Sequence, residues 1–264
     1  MKRAGVVGRP IGHSLSPVIH GAWIAALGLD AEYTRFEPED EAAFARLVDQ
    51  VRTGELAGLN VTSPFKDSAL VLADEASDTA RATGGANLLT ALDDRVRADS
   101  TDGLGLLASL AEQAPELRLP GAAVVVLGAG GAARAAAWAL RGAGADVGLL
   151  NRTPQRAADA AKALGVSVAS EAELRNARLV VNALPVRPEI APDSLAADAV
   201  LMDMTYRPLL TPFLAAGRAR GLRTVDGLAM LIGQAGPSFQ AIFGVSPPAG
   251  VDVRAACLRA MEAA

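Results

Sequence analysis

Three polar segments of the chain carry side chains suited to proton transfer and hydroxyl recognition. Asn60-Val61-Thr62-Ser63-Pro64-Phe65-Lys66 places a lysine just past a short apolar strand, where ligands of open α/β sheets collect. An ammonium there can stabilise a developing oxyanion and supply it with a proton. Ser100-Thr101-Asp102-Gly103 puts a carboxylate where the chain passes from one α/β series to the next, a common place for a cleft. Gly8-Arg9-Pro10-Ile11-Gly12-His13-Ser14-Leu15-Ser16-Pro17 reads as a loop between strand and helix, in which Ser14 and Ser16 offer hydroxyls to a polyol or carboxylate. For Ser16, capping of the following helix is a sufficient role by itself. Read from residue types alone, Lys66 and Asp102 fit a solvated surface pair as well as a proton-transferring one.

A fourth segment concerns phosphate. Gly128-Ala129-Gly130-Gly131-Ala132-Ala133 follows a valine-rich strand and opens a helix, the context that a Gly-x-Gly-x-x-Ala dinucleotide fingerprint needs. Gly128 would allow the tight turn, Gly130 the approach of backbone to a pyrophosphate, and Ala133 the packing of helix on strand. At the end of the next strand, where an NAD-binding chain is expected to place an acid, stands Asn151-Arg152-Thr153, with Arg156 one turn further on. Guanidinium groups grip a phosphate with paired hydrogen bonds, so this pattern predicts NADP rather than NAD. A solvated arginine pair at a helix start is the alternative reading.

These segments need a scaffold that brings strand ends together. Ala4 to Val7 reads as a strand, Pro17 to Leu27 as a helix with Ser16 as N-cap, Ala31 to Phe36 as a strand, Glu41 to Val51 as a helix and Gly58 to Val61 as a strand. Leu88 to Ala91 and Arg95 to Ala98, joined across Asp93-Asp94, predict a hairpin at the edge of that first sheet. A second series follows: helix Leu104 to Glu112 linking domains, strand Ala122 to Leu127, helix Ala132 to Arg141, strand Asp146 to Leu150 and helix Pro154 to Leu164. Apolar runs at Leu179 to Val181, Ala199 to Met202 and Thr224-Val225 complete a parallel sheet. The expected fold is therefore α/β with two domains. Residues 1–102 and 233–264 form a substrate domain onto which the C-terminal helices return, and 103–232 form a Rossmann-type doubly wound domain.

Composition narrows the function. The 264 residues are 51% hydrophobic and 20% charged, enough for a sizeable core, and a net charge of −4 argues against a nucleic-acid partner. With one cysteine, Cys257, no intramolecular disulfide can form, and the N-terminus lacks a signal-peptide pattern, so a cytoplasmic location and no membrane partner are expected. His13 and His20 are the only histidines and have no carboxylate arranged to complete a zinc site, so no metal is expected. No Gly-x-Ser-x-Gly elbow supports nucleophilic hydrolysis.

Taken in order, the polar segments, Val126-Leu127-Gly128-Ala129-Gly130-Gly131, Asp203-Met204-Thr205-Tyr206 and Asp226-Gly227-Leu228-Ala229-Met230-Leu231-Ile232-Gly233-Gln234-Ala235 resemble the shikimate dehydrogenase family across essentially the whole chain. The resemblance implies an oxidoreductase acting on CH–OH, reducing 3-dehydroshikimate reversibly to shikimate with NADPH in chorismate and aromatic amino acid biosynthesis, as a monomer or homodimer. By that resemblance Lys66 and Asp102 stand at the reacting oxygen, and Ser14, Ser16, Asn60, Thr62, Asn87, Tyr206 and Gln234 hold the substrate. Gly128, Ala129, Gly130, Gly131, Ala132, Asn151, Arg152, Thr153 and Arg156 hold NADP, with Met204 and Gly227 near the nicotinamide. Gly21, Ser100, Gly85-Ala86 and Leu184 depart from the family pattern, and Leu184 replaces a hydroxyl-bearing residue beside the nicotinamide. A relative acting on quinate or aminoshikimate, and a nucleotide-sensing Rossmann protein without turnover, are the competing readings.

Overall fold

The computed structural model describes residues 1–263 and divides them into two units, Met1–Thr101 with Gln234 onward, and Asp102–Gly233. Asp102 and Gly233 thus fall in the second unit, whereas the sequence reading places them in the first.

The first unit is built from β1 (Lys2–Val7), α1 (Ser16–Leu27), β2 (Ala31–Phe36), α2 (Glu41–Arg52), β3 (Gly58–Val61), α3 (Lys66–Leu72), β4 (Glu75–Ala76), α4 (Asp78–Thr83), β5 (Leu88–Leu92) and β6 (Arg95–Asp99). Its six strands lie in the order β2-β1-β3-β5-β6-β4. β1 pairs parallel with β2 and β3, while β5 runs antiparallel to both β3 and β6. The hairpin is present but is not at the edge, because the two residues of β4 pair with β6 outside it. One face of this sheet buries Val7, Leu59 and Val61 against Phe44, Val48 and Val51 of α2, the apolar stripe that its helical spacing requires.

Ser16 is not the N-cap of α1. The cap position is Leu15 and no side chain caps the helix. The reason is local: Pro17 has no N–H, the Ser16 N–H is taken by Ser14 Oγ at 3.3 Å, and the N–H groups of Val18 and Ile19 both reach the Leu15 carbonyl. The helices α3 and α4 are too short for a periodic apolar signal. Of these, α4 is fixed by its ends, Ser77 Oγ accepting from the Ala80 N–H and Gly84 adopting φ 68°.

The second unit contains α5 (Asp102–Gln113), β7 (Ala123–Leu127), α6 (Gly131–Gly142), β8 (Asp146–Leu150), α7 (Pro154–Leu164), β9 (Ser167–Val168), β10 (Leu179–Asn182), β11 (Val200–Asp203), α8 (Pro212–Ala219) and β12 (Arg223–Val225). The sheet order β12-β11-β10-β7-β8-β9 is parallel throughout, the order of a doubly wound dinucleotide-binding sheet. Rather than a linker, α5 packs against α6 as a layer of this unit. Together with α7, these helices cover Val124, Val126, Leu179 and Val181, while Phe213 and Leu214 of α8 cover the other face with Val125, Leu127 and Leu201. The chain ends in α9 (Gly227–Phe243), inside which the division between units falls, and α10 (Val253–Glu262), which packs on α1. No helix among the described residues is long and apolar enough to cross a membrane.

Candidate active site

The first unit gathers polar groups at one sheet edge because β1 and β3 are parallel neighbours whose C-terminal ends lie side by side. The loops leaving them touch: Arg9 N–H donates to the Ser63 carbonyl at 3.0 Å, and Thr62 N–H to Val7 at 2.9 Å. A Cβ on Gly8 would lie 2.4 Å from the Thr62 methyl, so only glycine lets the two loops approach this closely. Ser14 and Ser16, both buried, and the half-buried Thr62 thereby share one end of the sheet. Arg35, at the end of β2, clasps the Ser14 carbonyl with Nε and Nη2 at 3.2 and 2.7 Å, and the Glu37 carboxylate accepts the Ile11 N–H.

Lys66 is the first residue of α3 and half-buried, its carbonyl accepting the Ala86 N–H at 2.9 Å, one residue before Asn87. Asn87 arrives at the same end because β5 runs antiparallel to β3, and its carbonyl accepts the Val61 N–H. Its side chain joins a buried network with Asn60, Thr101, Gln234 and Ser238. Asn87 Oδ1 accepts the Thr101 N–H at 2.7 Å, and Asn87 Nδ2 donates to Thr101 Oγ1 at 3.0 Å and to Gln234 Oε1 at 3.1 Å. The Asn60 amide is engaged inside the protein. Its Nδ2 donates to Ser238 Oγ at 2.9 Å and the Asn87 carbonyl at 3.3 Å, and its Oδ1 accepts the Tyr33 hydroxyl at 2.7 Å. Burial holds the Tyr33 phenol well above its usual range, so it acts as a neutral donor.

His20 lies beneath this network without joining it. Its ring stacks on Tyr33 at 4.0 Å, Trp23 and Phe239 close around it, and neither nitrogen has a hydrogen-bond partner. Burial lowers its pKa from 6.5 to about 3, so the imidazole stays neutral.

In the second unit the switch point lies between β7 and β10, where ligands of such sheets collect. Gly128 adopts φ 116°, a conformation that side chains disfavour, and its neighbours there are Leu184 and Ala133. Ala133, in the first turn of α6, is fully buried, whereas Gly130 and Gly131 face open space, leaving the helix N-terminus accessible to an anion. Ala129 and Ala132 are half-buried beside them. Asn151 follows β8 and donates through Nδ2 to the Thr153 carbonyl, and the Thr153 side chain makes no cap bond. Arg152 and Arg156 are exposed, and neither is held by a carboxylate among the described residues. Uncommitted guanidiniums and an open helix N-terminus fit a phosphorylated dinucleotide.

Met204, Thr205 and Tyr206 leave β11 under the control of Asp203, which residue types alone did not single out. Asn182 and Asp203 are register partners at the ends of β10 and β11. The buried Asp203 carboxylate accepts from Asn182 Nδ2 at 3.1 Å, the Thr205 N–H at 3.0 Å and Thr211 Oγ1 at 2.7 Å. Asn182 Oδ1 in turn accepts the Leu184 N–H, so one pair fixes both loops. Gly227 opens α9 against them: a Cβ there would lie 2.6 Å from the carbonyls of Met204 and Thr205. Among the described residues no cluster of histidine, cysteine and carboxylates is arranged to hold a metal.

Sequence reasoning missed Tyr33, Arg35, Ser238 and Asp203 as parts of the site. One signal was available, because Tyr33 and Arg35 share a face of β2 that an apolar core would fill with aliphatics.

The family model for the shikimate dehydrogenase substrate binding domain matches residues 6–89. A shikimate dehydrogenase (NADP(+)) of Caulobacter vibrioides is 48% identical, the alignment covering 97% of this chain and 94% of the relative. One from Maricaulis maris is 43% identical, covering 98% and 96%. Among solved structures, a shikimate 5-dehydrogenase of Thermus thermophilus in complex with NADP(H) and shikimate superposes with a TM-score of 0.90 at 36% identity, covering 98% of this chain and all of that one. With identity at this level maintained along nearly its full length, the chain belongs to the shikimate dehydrogenase family.

Proposed function

We propose that the protein is an NADP-dependent shikimate dehydrogenase, interconverting 3-dehydroshikimate and shikimate. The observation that carries this reading is near-full-length identity of 48% to a relative of that name. The two units divide the work, the first taking the ring substrate and the second the dinucleotide. The bound dinucleotide would supply the hydride as NADPH or accept it as NADP+.

The residues of the chain do the rest. Ser14, Ser16 and Tyr206 hold the substrate carboxylate, and Thr62, Asn87 and Gln234 hold the ring hydroxyls. The buried amide and hydroxyl network supports this assignment, since its polar groups are neutral and match a polyol in both donors and acceptors. Lys66 keeps a proton at the reacting oxygen, releasing it as the carbonyl is reduced and taking it back as the alcohol is oxidised. Asp102 is the second member of the proton-transferring pair. Arg152, Arg156 and Thr153 take the 2′-phosphate, while Gly128 to Ala132 cradle the pyrophosphate. Met204 and Gly227 form the nicotinamide wall, with Asn60 tying the substrate residues together from beneath.

Substrate profiling tests the reading. Nicotinamide absorbance should rise with shikimate and NADP, with a kcat/KM at least tenfold above that for quinate or for NAD. A preference for quinate would transfer the assignment to that substrate, and silence with both would leave a nucleotide-binding protein without turnover.

A further inference from the structure

The loop carrying Ser14 and Ser16 is held by two charged residues to which the substrate reading gives no role. Ile11 to Ser14 form a turn closed by its own hydrogen bond, from the Ser14 N–H to the Ile11 carbonyl at 2.9 Å. Gly12 and His13 are its exposed tip, while Ile11, Ser14, Leu15 and Ser16 are buried. The closing bond leaves over the Ile11 N–H and the Ser14 carbonyl, two backbone groups that need partners. Side chains from the end of β2, two residues apart, take both. Glu37 Oε2 accepts the Ile11 N–H at 3.3 Å, and Arg35 Nε and Nη2 donate to the Ser14 carbonyl at 3.2 and 2.7 Å. Neither Arg35 nor Glu37 forms an ion pair among the described residues. An acceptor thus meets the N–H end of the turn and a two-pronged donor its carbonyl end.

Ser14 is thereby fixed on both sides. Its N–H is bonded to Ile11 and its carbonyl is clasped by Arg35, so the peptide planes flanking its Cα are set, and with them the direction of its Cα–Cβ bond. Its hydroxyl has a set polarity too. Ser14 Oγ accepts the Ser16 N–H at 3.3 Å, which leaves its one hydrogen for an acceptor such as a carboxylate. We propose that Arg35 and Glu37 are positioning residues for substrate recognition: they clamp the two ends of the Ile11–Ser14 turn and so aim Ser14 and Ser16 at the substrate carboxylate. Bonds to charged groups hold the turn more strongly than neutral ones would. Acting by charge alone, Arg35 would attract an anionic substrate and Glu37 would repel it. In the clamp both favour binding, so the two roles differ in sign at Glu37.

The proposal rests on Ser14 as a substrate contact, and kinetics of full-length variants separate the two. Glu37→Ala should raise the KM for shikimate roughly threefold and Arg35→Ala roughly three- to tenfold, the range one net hydrogen bond carries, with kcat and the KM for NADP within twofold. Glu37→Gln keeps an acceptor for the Ile11 N–H without the charge, and its shikimate KM should stay within twofold of the parent's. Should Arg35→Ala not fold, Arg35→Met retains the apolar stem without the donors and should give the same rise. A Glu37→Ala enzyme with a lowered or unchanged shikimate KM would overturn the clamp, as would an Arg35→Ala enzyme altered only in melting temperature. A Ser14→Ala enzyme with normal shikimate KM would overturn both the clamp and the contact beneath it.

Discussion

In the first unit, six uncharged side chains, those of Tyr33, Asn60, Asn87, Thr101, Gln234 and Ser238, satisfy one another below the surface that is to meet a ring alcohol. In the second, buried carboxylates do the corresponding work. Asp203 anchors the ends of β10 and β11, and Asp226 exchanges two hydrogen bonds with Gln113 and caps α9 at Ala229. The difference follows from what each must recognise. A polyol needs donors and acceptors in defined directions, and a neutral network holds each amide in one orientation, Asn87 by the Thr101 N–H and Gln234 by Asn87 Nδ2. A dinucleotide is gripped by backbone N–H groups and guanidiniums, so the fixed quantity is loop shape. A carboxylate accepting several donors pins a loop firmly, and glycine lets it come close.

Variants should separate the two designs. The largest stability effect is expected from Asp203→Ala, which strands the Asn182 amide, the Thr211 hydroxyl and the Thr205 N–H. Roughly 3 kcal/mol should be lost in denaturant unfolding, with the NADP KM rising more than the shikimate KM. Equal effects on the two KM values would break the division of labour. Next in size, Arg152→Ala combined with Arg156→Ala should cost about ten- to a hundredfold in kcat/KM with NADP and leave NAD within twofold. An equal loss with both cofactors would remove the 2′-phosphate role.

A pH effect isolates the first unit and is absent at neutral pH. His20 in the folded state titrates at about 3, below its ordinary 6.5, so between these values the unfolded chain binds the extra proton. Stability should therefore fall as pH drops from about 6.5 toward 3, by at most about 1.4 kcal/mol per pH unit from this group. His20→Phe should flatten that slope while leaving the stability at pH 8 nearly unchanged. A slope identical to the parent's would show that other groups carry the acid sensitivity.

Much of this was legible before the coordinates. β2, β3, β8 and α7 have the bounds their patterns predict, because each is long or regular enough to carry a period and ends in turn chemistry. The glycine fingerprint was readable because strand, turn and helix follow in sequence. What stayed hidden depends on groups far apart in the chain. Ser238 meets Asn60 across 178 positions, and nothing near either residue announces the other. Asp203 was read as part of a signature stretch, but its bond to Asn182 exists only because β10 and β11 are in register. Ser16 is not the cap that Ser-Pro before an apolar run signals, because the N–H groups of Val18 and Ile19, which such a cap would accept, go to the Leu15 carbonyl.

The reading as a whole turns on one lysine. Initial rates of NADP reduction at saturating shikimate should fall by two or more orders of magnitude in Lys66→Ala, the range set by a lost acid–base group, with the shikimate KM changed much less. A Lys66→Ala enzyme turning over shikimate at the parent's rate, or a parent enzyme that never reduces NADP with shikimate, would contradict it.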